Sequence, residues 1–163
     1  PRKSGTRISM RVAGVRARVF RGSGGAWSEM REPFDGDEPE GAERQEVTAL
    51  LAVGEHLFAA VAIFDPTGAP ASGEVMALGK ERFKRVASMS QDAPTALAHH
   101  DGTLFVGTRR GRLLLVEGDG SLQPVGGTPS SVSVLALLPL DARTLLVGVE
   151  GPYGAEVLRR TAR

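Results

Sequence analysis

Residues 95–107 read Thr95-Ala96-Leu97-Ala98-His99-His100-Asp101-Gly102-Thr103-Leu104-Phe105-Val106-Gly107, two apolar runs on either side of an Asp-Gly pair. Asp-Gly in that setting is a strong hairpin signal, because glycine accepts the positive φ that a tight turn demands. The phrase recurs along the chain. Thr48-Ala49-Leu50 leads to Leu57-Phe58-Ala59-Ala60, a copy that aligns with residues 95–107 without a gap, Thr48 preceding Thr95 by 47 residues. A third copy runs from Ser133-Val134-Leu135-Ala136 to Leu145-Leu146-Val147-Gly148, with Ser133 lying 38 residues after Thr95. Strand-rich repeats of roughly 40–50 residues are the signature of propeller blades stacked on one another.

Working outward, apolar runs at 47–53, 57–63, 74–78 and 83–87 read as one four-stranded unit. The runs 95–99, 104–108, 112–116 and 122–125 read as a second, joined by the turns Asp101-Gly102, Arg110-Gly111 and Asp119-Gly120. A third unit supplies 133–138, 144–149 and 156–160. At the N-terminus, 8–13, 15–21 and 26–29 fit the second, third and fourth strands of a blade. The expected fold is therefore an all-β propeller of about four blades over residues 8–160, following an N-terminal tail at 1–7. Blades occupy 8–30, 47–87, 95–125 and 133–160, the first and last incomplete. A closed ring removes open edges and bare faces, so these blades suggest half of a larger ring, completed by a second copy, another chain or further blades. A β-sandwich or open meander is the alternative. Sustained 3.6-residue periodicity is absent, and Gly or Pro interrupts nearly every candidate helix.

The turn Gly22-Ser23-Gly24-Gly25 followed by Trp27 resembles the Asp-box hairpin, Ser-x-Asp-x-Gly-x-x-Trp, of sialidase-like propellers, without that motif's aspartate. With the repeats, the chain resembles bacterial β-propellers of the Asp-box or two-component-regulator kind. The resemblance implies an architecture rather than an activity. A sialidase-like site would need an arginine cluster and a tyrosine nucleophile near the ring centre, and the sequence does not supply that set.

The 163 residues suffice for one domain with a substantial core. Twenty Lys+Arg against 19 Asp+Glu give a net charge of +1, which argues against a dedicated nucleic-acid surface. Arginine supplies nearly all of the positive charge, a compositional hint of a GC-rich bacterial genome. The absence of cysteine excludes disulfides, thiolate metal sites and a cysteine nucleophile. No apolar run approaches the roughly 20 residues that cross a bilayer, so a soluble protein without membrane attachment is expected, in cytoplasm or periplasm.

Candidate chemistry is sparse. Meander topology puts the connections between blades and the turns between second and third strands on one face. Segments 31–46, 65–73, 89–94, 126–131 and 150–155 all fall there and read as long loops, where rigid scaffolds usually carry function. On this face Arg109 and Arg110 share a turn, with Arg112 following. Guanidinium groups so placed suit a phosphate, a carboxylate or an acidic loop, although charge also keeps turns solvated. Tyr153, the sole tyrosine, is a candidate partner anchor, and Asp65 heads the 65–73 segment. The acidic run 35–40 lacks calcium-loop spacing and reads as a solvated loop. His99 and His100 are adjacent on a strand and point to opposite faces, so they do not share a metal. No nucleophile elbow, phosphate loop or dinucleotide fingerprint is present. No cofactor, metal or catalytic residue is therefore expected. The leading expectation is a non-enzymatic scaffold that binds a protein or peptide through Arg109, Arg110, Tyr153 and Asp65, with self-association completing the ring. A sensor for a small polar or glycan ligand is the alternative. A hydrolase or lyase fragment completed by missing blades is the second.

Overall fold

In the computed structural model, residues 20–23, 26–29, 43–80, 82–128, 132–141 and 144–161 are described. They form thirteen strands and no helix. β1 (Phe20–Ser23) and β2 (Ala26–Glu29) pair as a hairpin, with Gly22 opposite Trp27. The expected strand 8–13, most of 15–21 and the acidic run 35–40 lie outside the described residues.

The remaining strands form three antiparallel meanders. Sheet 1 comprises β3 (Arg44–Val53), β4 (His56–Phe64), β5 (Pro70–Leu78) and β6 (Phe83–Ser90). Sheet 2 comprises β7 (Pro94–His100), β8 (Thr103–Thr108), β9 (Arg112–Val116) and β10 (Leu122–Gly127). Sheet 3 has β11 (Ser133–Pro139), β12 (Thr144–Gly151) and β13 (Gly154–Thr161). Short runs of β-branched and aliphatic residues favour strands, and the punctuating turns fold each run back on its neighbour. Asp101 and Gly102 both have positive φ (47° and 80°), the backbone a two-residue hairpin turn requires.

The sheets pack face to face in chain order, and their first strands, β3, β7 and β11, lie side by side. This arrangement is propeller-like. Alternation along each strand sends one set of side chains to each neighbour. Leu97, Leu104, Val106, Leu114 and Val116 of sheet 2 meet Val75, Ala87, Met89, Leu51 and Phe58 of sheet 1. On the opposite face, Ala96, Ala98, Phe105 and Leu113 meet Val134, Leu145, Val147 and Val149 of sheet 3. A third cluster joins Ala59, Val61, Ile63, Met76 and Phe83 on the face of sheet 1 away from sheet 2.

Each first strand carries a bulge at the same place: Thr48, Thr95 and Leu135 are skipped by the pairing ladder. Thr48 Oγ1 donates to the Ala60 carbonyl at 3.2 Å and to the Pro94 carbonyl of the next sheet at 2.6 Å. Thr95 Oγ1 repeats this with the carbonyls of Gly107 and, in sheet 3, Val134. The bulges correct the third repeat: the position matching Thr95 is Leu135, 40 residues on, rather than Ser133. Ala49–Ala60, Ala96–Gly107 and Ala136–Gly148 are the matching small pairs. Two apolar residues of the repeats, Leu135 and Leu50, are exposed. Leu135 sits on the bulge, out of the pleat. Leu50 pairs with Ala59 on the edge strand of sheet 1, facing away from sheet 2.

The loop lengths also differ from expectation. Pairing of Pro70 with Phe64 shortens the 65–73 segment to Asp65–Ala69. Pairing of Gly151 with Gly154 leaves only Pro152 and Tyr153 in the last turn. Continuous ladders absorb residues that composition had assigned to loops. Among the described residues, loop length therefore does not distinguish the two faces.

Candidate functional site: an arginine turn stacked on Phe64

The β8–β9 turn is built by short-range bonds. Gly111 N donates to the Thr108 carbonyl at 3.1 Å, and Arg112 N donates to Thr108 Oγ1 at 3.1 Å. The turn is then tied to both connections between sheets. Arg109 N donates to the Ala93 carbonyl at 2.9 Å, and Ser133 Oγ donates to the Arg109 carbonyl at 3.0 Å. The Gly111 carbonyl accepts from Thr128 N at 2.8 Å and Thr128 Oγ1 at 3.1 Å. Its backbone is thus fixed from both sides while its side chains face solvent.

The anchor beneath it is Asp92, a buried carboxylate in the β6–β7 connection. Its Oδ1 accepts from Ala93 N at 2.8 Å and Arg110 N at 3.2 Å, and its Oδ2 accepts from Arg112 Nε at 2.8 Å. Three donors offset the water that the buried carboxylate gives up. Arg112 is therefore structural, and Arg109 and Arg110 remain exposed to solvent.

Phe64, buried with Ala62 and Ala93, closes the seam between sheets 1 and 2. The Arg109 guanidinium carbon lies 5.7 Å from its ring centroid, and that of Arg44 lies 4.5 Å from it. Two cations over one ring satisfy cation–π geometry. Arg44 also meets Glu46 at 3.3 Å. Arg109 and Arg110 make no ion pair with the described residues.

Asp65 follows Phe64 directly, which brings it near the arginine turn, but its carboxylate is occupied. Its Oδ1 accepts from Thr67 N at 2.8 Å, Thr67 Oγ1 at 2.6 Å and Ala69 N at 3.0 Å. The Thr67 hydroxyl, helped by the N–H groups of Ala69, Thr67 and Gly68, holds the carboxyl below its ordinary value despite desolvation. Asp65 organises its own turn. Tyr153 stands apart at the tip of the β12–β13 turn, 99 % exposed. Among the described residues, no group of three or more His, Asp or Glu side chains is placed to hold a metal. No helix of the described residues is long and apolar enough to cross a membrane.

Sequence reasoning missed Arg44, Phe64 and Asp92. Arg44 lay in a presumed loop, and Phe64 directly followed the apolar run 57–63, which read as a strand. Asp92 was the one acid beside the Ala93-Pro94 entry to a strand, a position at which a carboxylate readily caps free N–H groups.

No protein-family model matches the chain, and no characterised protein sequence matches it. Solved structures similar in shape include the following two. Extracellular domains 1–2 of Drosophila Semaphorin 1a superpose at a TM-score of 0.49 and 10 % identity over 84 % of this chain. The computationally designed Ika4 protein superposes at 0.44 and 16 % identity over 82 % of this chain and 99 % of its own. The chain spans 45 % of the semaphorin structure.

Proposed function

We propose that this protein is a non-enzymatic binding module that receives an acidic segment of a protein partner on the face bearing Arg109 and Arg110. The observation that carries this reading is the division of labour around Asp92. One buried carboxylate fixes the turn backbone and consumes Arg112, leaving two exposed guanidinium groups on a rigid base. Phe64 orients one of them. A preorganised cation loses little freedom on meeting a carboxylate, so more of the contact appears as affinity. Arg44 adds a third charge beside the same ring. The architecture behind the face is read as propeller blades, about four in number, belonging to a ring that further blades close.

The test is capture from extract of the source cells by immobilised wild-type chain, beside Arg109→Glu/Arg110→Glu. The double variant should lose at least about tenfold in capture, equivalent to roughly 1.4 kcal/mol, and its thermal midpoint should not move. The captured protein should also elute with salt, as a partner held by exposed charge does. Equal capture by both proteins would remove the arginine turn from consideration.

A further inference from the structure

Arg44 stands directly opposite Phe64 in the β3–β4 ladder, and the Glu43 N–H donates to the Phe64 carbonyl at 3.0 Å. The start of β3 is thereby fixed beside the ring. Arg109 reaches the same ring from sheet 2, its backbone N–H bonded to Ala93, which packs with Phe64. With guanidinium carbons 4.5 and 5.7 Å from one centroid, the two cations are at most about 10 Å apart. Both arginines are exposed. A single anion with bonds of about 2.8 Å to each fork bridges a gap of that order.

The neighbouring acids decide what kind of anion fits. Asp92 is committed to Arg112 and to the N–H groups of Ala93 and Arg110, and Asp65 is committed to its own turn. Glu46 lies two residues from Arg44 on the same face of β3 and meets it at 3.3 Å. A partner's carboxylate would only repeat, at Arg44, what the tethered Glu46 already offers. A phosphoryl group brings a second charge and a third acceptor oxygen, enough to serve both forks at once.

We infer that Arg44 and Arg109 clamp a phosphoryl group carried by a serine or threonine of the partner segment, with Glu46 as its resident competitor. This assignment rests on the binding face proposed above and names the group that the face reads. Recognition of phosphorylated segments by paired arginines follows from their charge and planar forks. The Glu46 side chain is 45 % exposed, so it has room to swing aside when the dianion arrives. A net charge of +1 for the whole chain suits one local phosphoryl group better than the polyanion of a nucleic acid.

The probe is a fluorescein-labelled Gly-Ser-Gly-phosphoserine-Gly-Ser-Gly peptide, titrated with the full 163-residue chain and followed by anisotropy. The same peptide with glutamate at its centre is the comparison. The phosphopeptide should bind with a Kd below about 100 μM, at least about tenfold more tightly than the glutamate peptide. Arg44→Ala and Arg109→Ala should each weaken it about tenfold, and Glu46→Gln should tighten it about threefold. That gain is one that a merely structural Arg44–Glu46 pair would not give. Thermal melts verify that the variants stay folded. Equal binding of the two peptides overturns the phosphoryl assignment, and, where Arg109→Ala weakens both alike, leaves the acidic-segment reading standing. Absence of phosphopeptide binding at about 1 mM also overturns it. So does tighter binding of inorganic phosphate or of a single-stranded oligothymidylate, since the ligand would then be a free anion or a nucleic acid.

Discussion

Gly107→Ala isolates the packing between sheets 2 and 3 with a single methyl group. A Cβ built at Gly107 would lie 2.3 Å from Val134 Cγ1, 2.8 Å from Val134 Cβ and 3.4 Å from Ala96 Cβ. Val134 is fully buried and β-branched, so it has neither space nor a free rotamer with which to withdraw. Overpacking of this kind costs about 1–3 kcal/mol. The smaller entropy of an unfolded chain with Ala in place of Gly returns about 0.4–1 kcal/mol. The net expectation is a loss of about 1–2 kcal/mol, read in urea unfolding followed by far-ultraviolet circular dichroism. For a chain of this size that is a fall in Tm of about 2–8 °C. Gly148→Ala is the internal control. Its Cβ would meet Ala136 Cβ at 3.3 Å within the same sheet and no side chain of a following sheet, so a change within about 0.5 kcal/mol is expected. Val134→Ala in the Gly107→Ala background should recover part of the loss, with a coupling of about 1 kcal/mol or more. Equal costs at Gly107 and Gly148, or strict additivity with Val134→Ala, would refute face-to-face packing through this recess.

Two further outcomes follow from the polar groups. Asp92→Ala strands the N–H groups of Ala93 and Arg110 and frees Arg112; because Arg112 is half exposed and regains water, the expected loss is about 2–4 kcal/mol, checked by thermal melting, with Asp92→Asn recovering part of it. Asp65 has its folded pKa depressed below 3.8, so its charge contributes stability that is present above that value and is lost as pH falls through the lower folded value. The stability gap between wild type and Asp65→Asn should therefore be constant at neutral pH and close only as the pH falls below 3.8; a gap that persists in full under strongly acidic conditions, measured by urea titration, would show that the charge is not responsible.

The hairpin pattern was legible because it is local. Thr95 to Gly107 contains a complete hairpin with its turn chemistry, and the 47-residue echo places a second hairpin in the same register. The third repeat was misplaced by two residues because Ser133 imitates Thr95 in type, whereas position is set by the bulge and by the Ala136–Gly148 pair. Only cross-strand pairing reveals that relation. The same cause explains Leu135: an apolar residue on a bulge leaves the alternation that its neighbours obey. At the site, Arg109 and Arg110 stood out as adjacent charges at a turn. Their support did not, since Phe64 ends β4, Asp92 lies in the β6–β7 connection, and both meet the turn only when sheets 1 and 2 are packed. The loop-length argument failed because strand pairing continues through Pro70–Gly73 and up to Gly151, and composition alone does not show where a ladder stops.

What joins one sheet to the next can be divided by magnitude. A buried Leu or Val contributes about 1.5–3 kcal/mol, and each interface assembles several, such as Leu113, Val134, Leu145 and Val147 between sheets 2 and 3. The single threonine bond across each seam contributes about 1 kcal/mol. Apolar burial therefore supplies the adhesion. It is tolerant of sliding, because one methyl surface resembles the next. The Thr48 and Thr95 hydroxyls are directional and each reaches one carbonyl across the seam, at the residue before the following bulge. They fix the height of one first strand against the next, and with it the alignment of the turns that carry Phe64, Asp92 and Arg109. In sheet 3 the matching residue is Leu135, which has no such donor, and Leu138 and Val157 are exposed on the same side. A neighbour on that side would be held by apolar contact without the register lock.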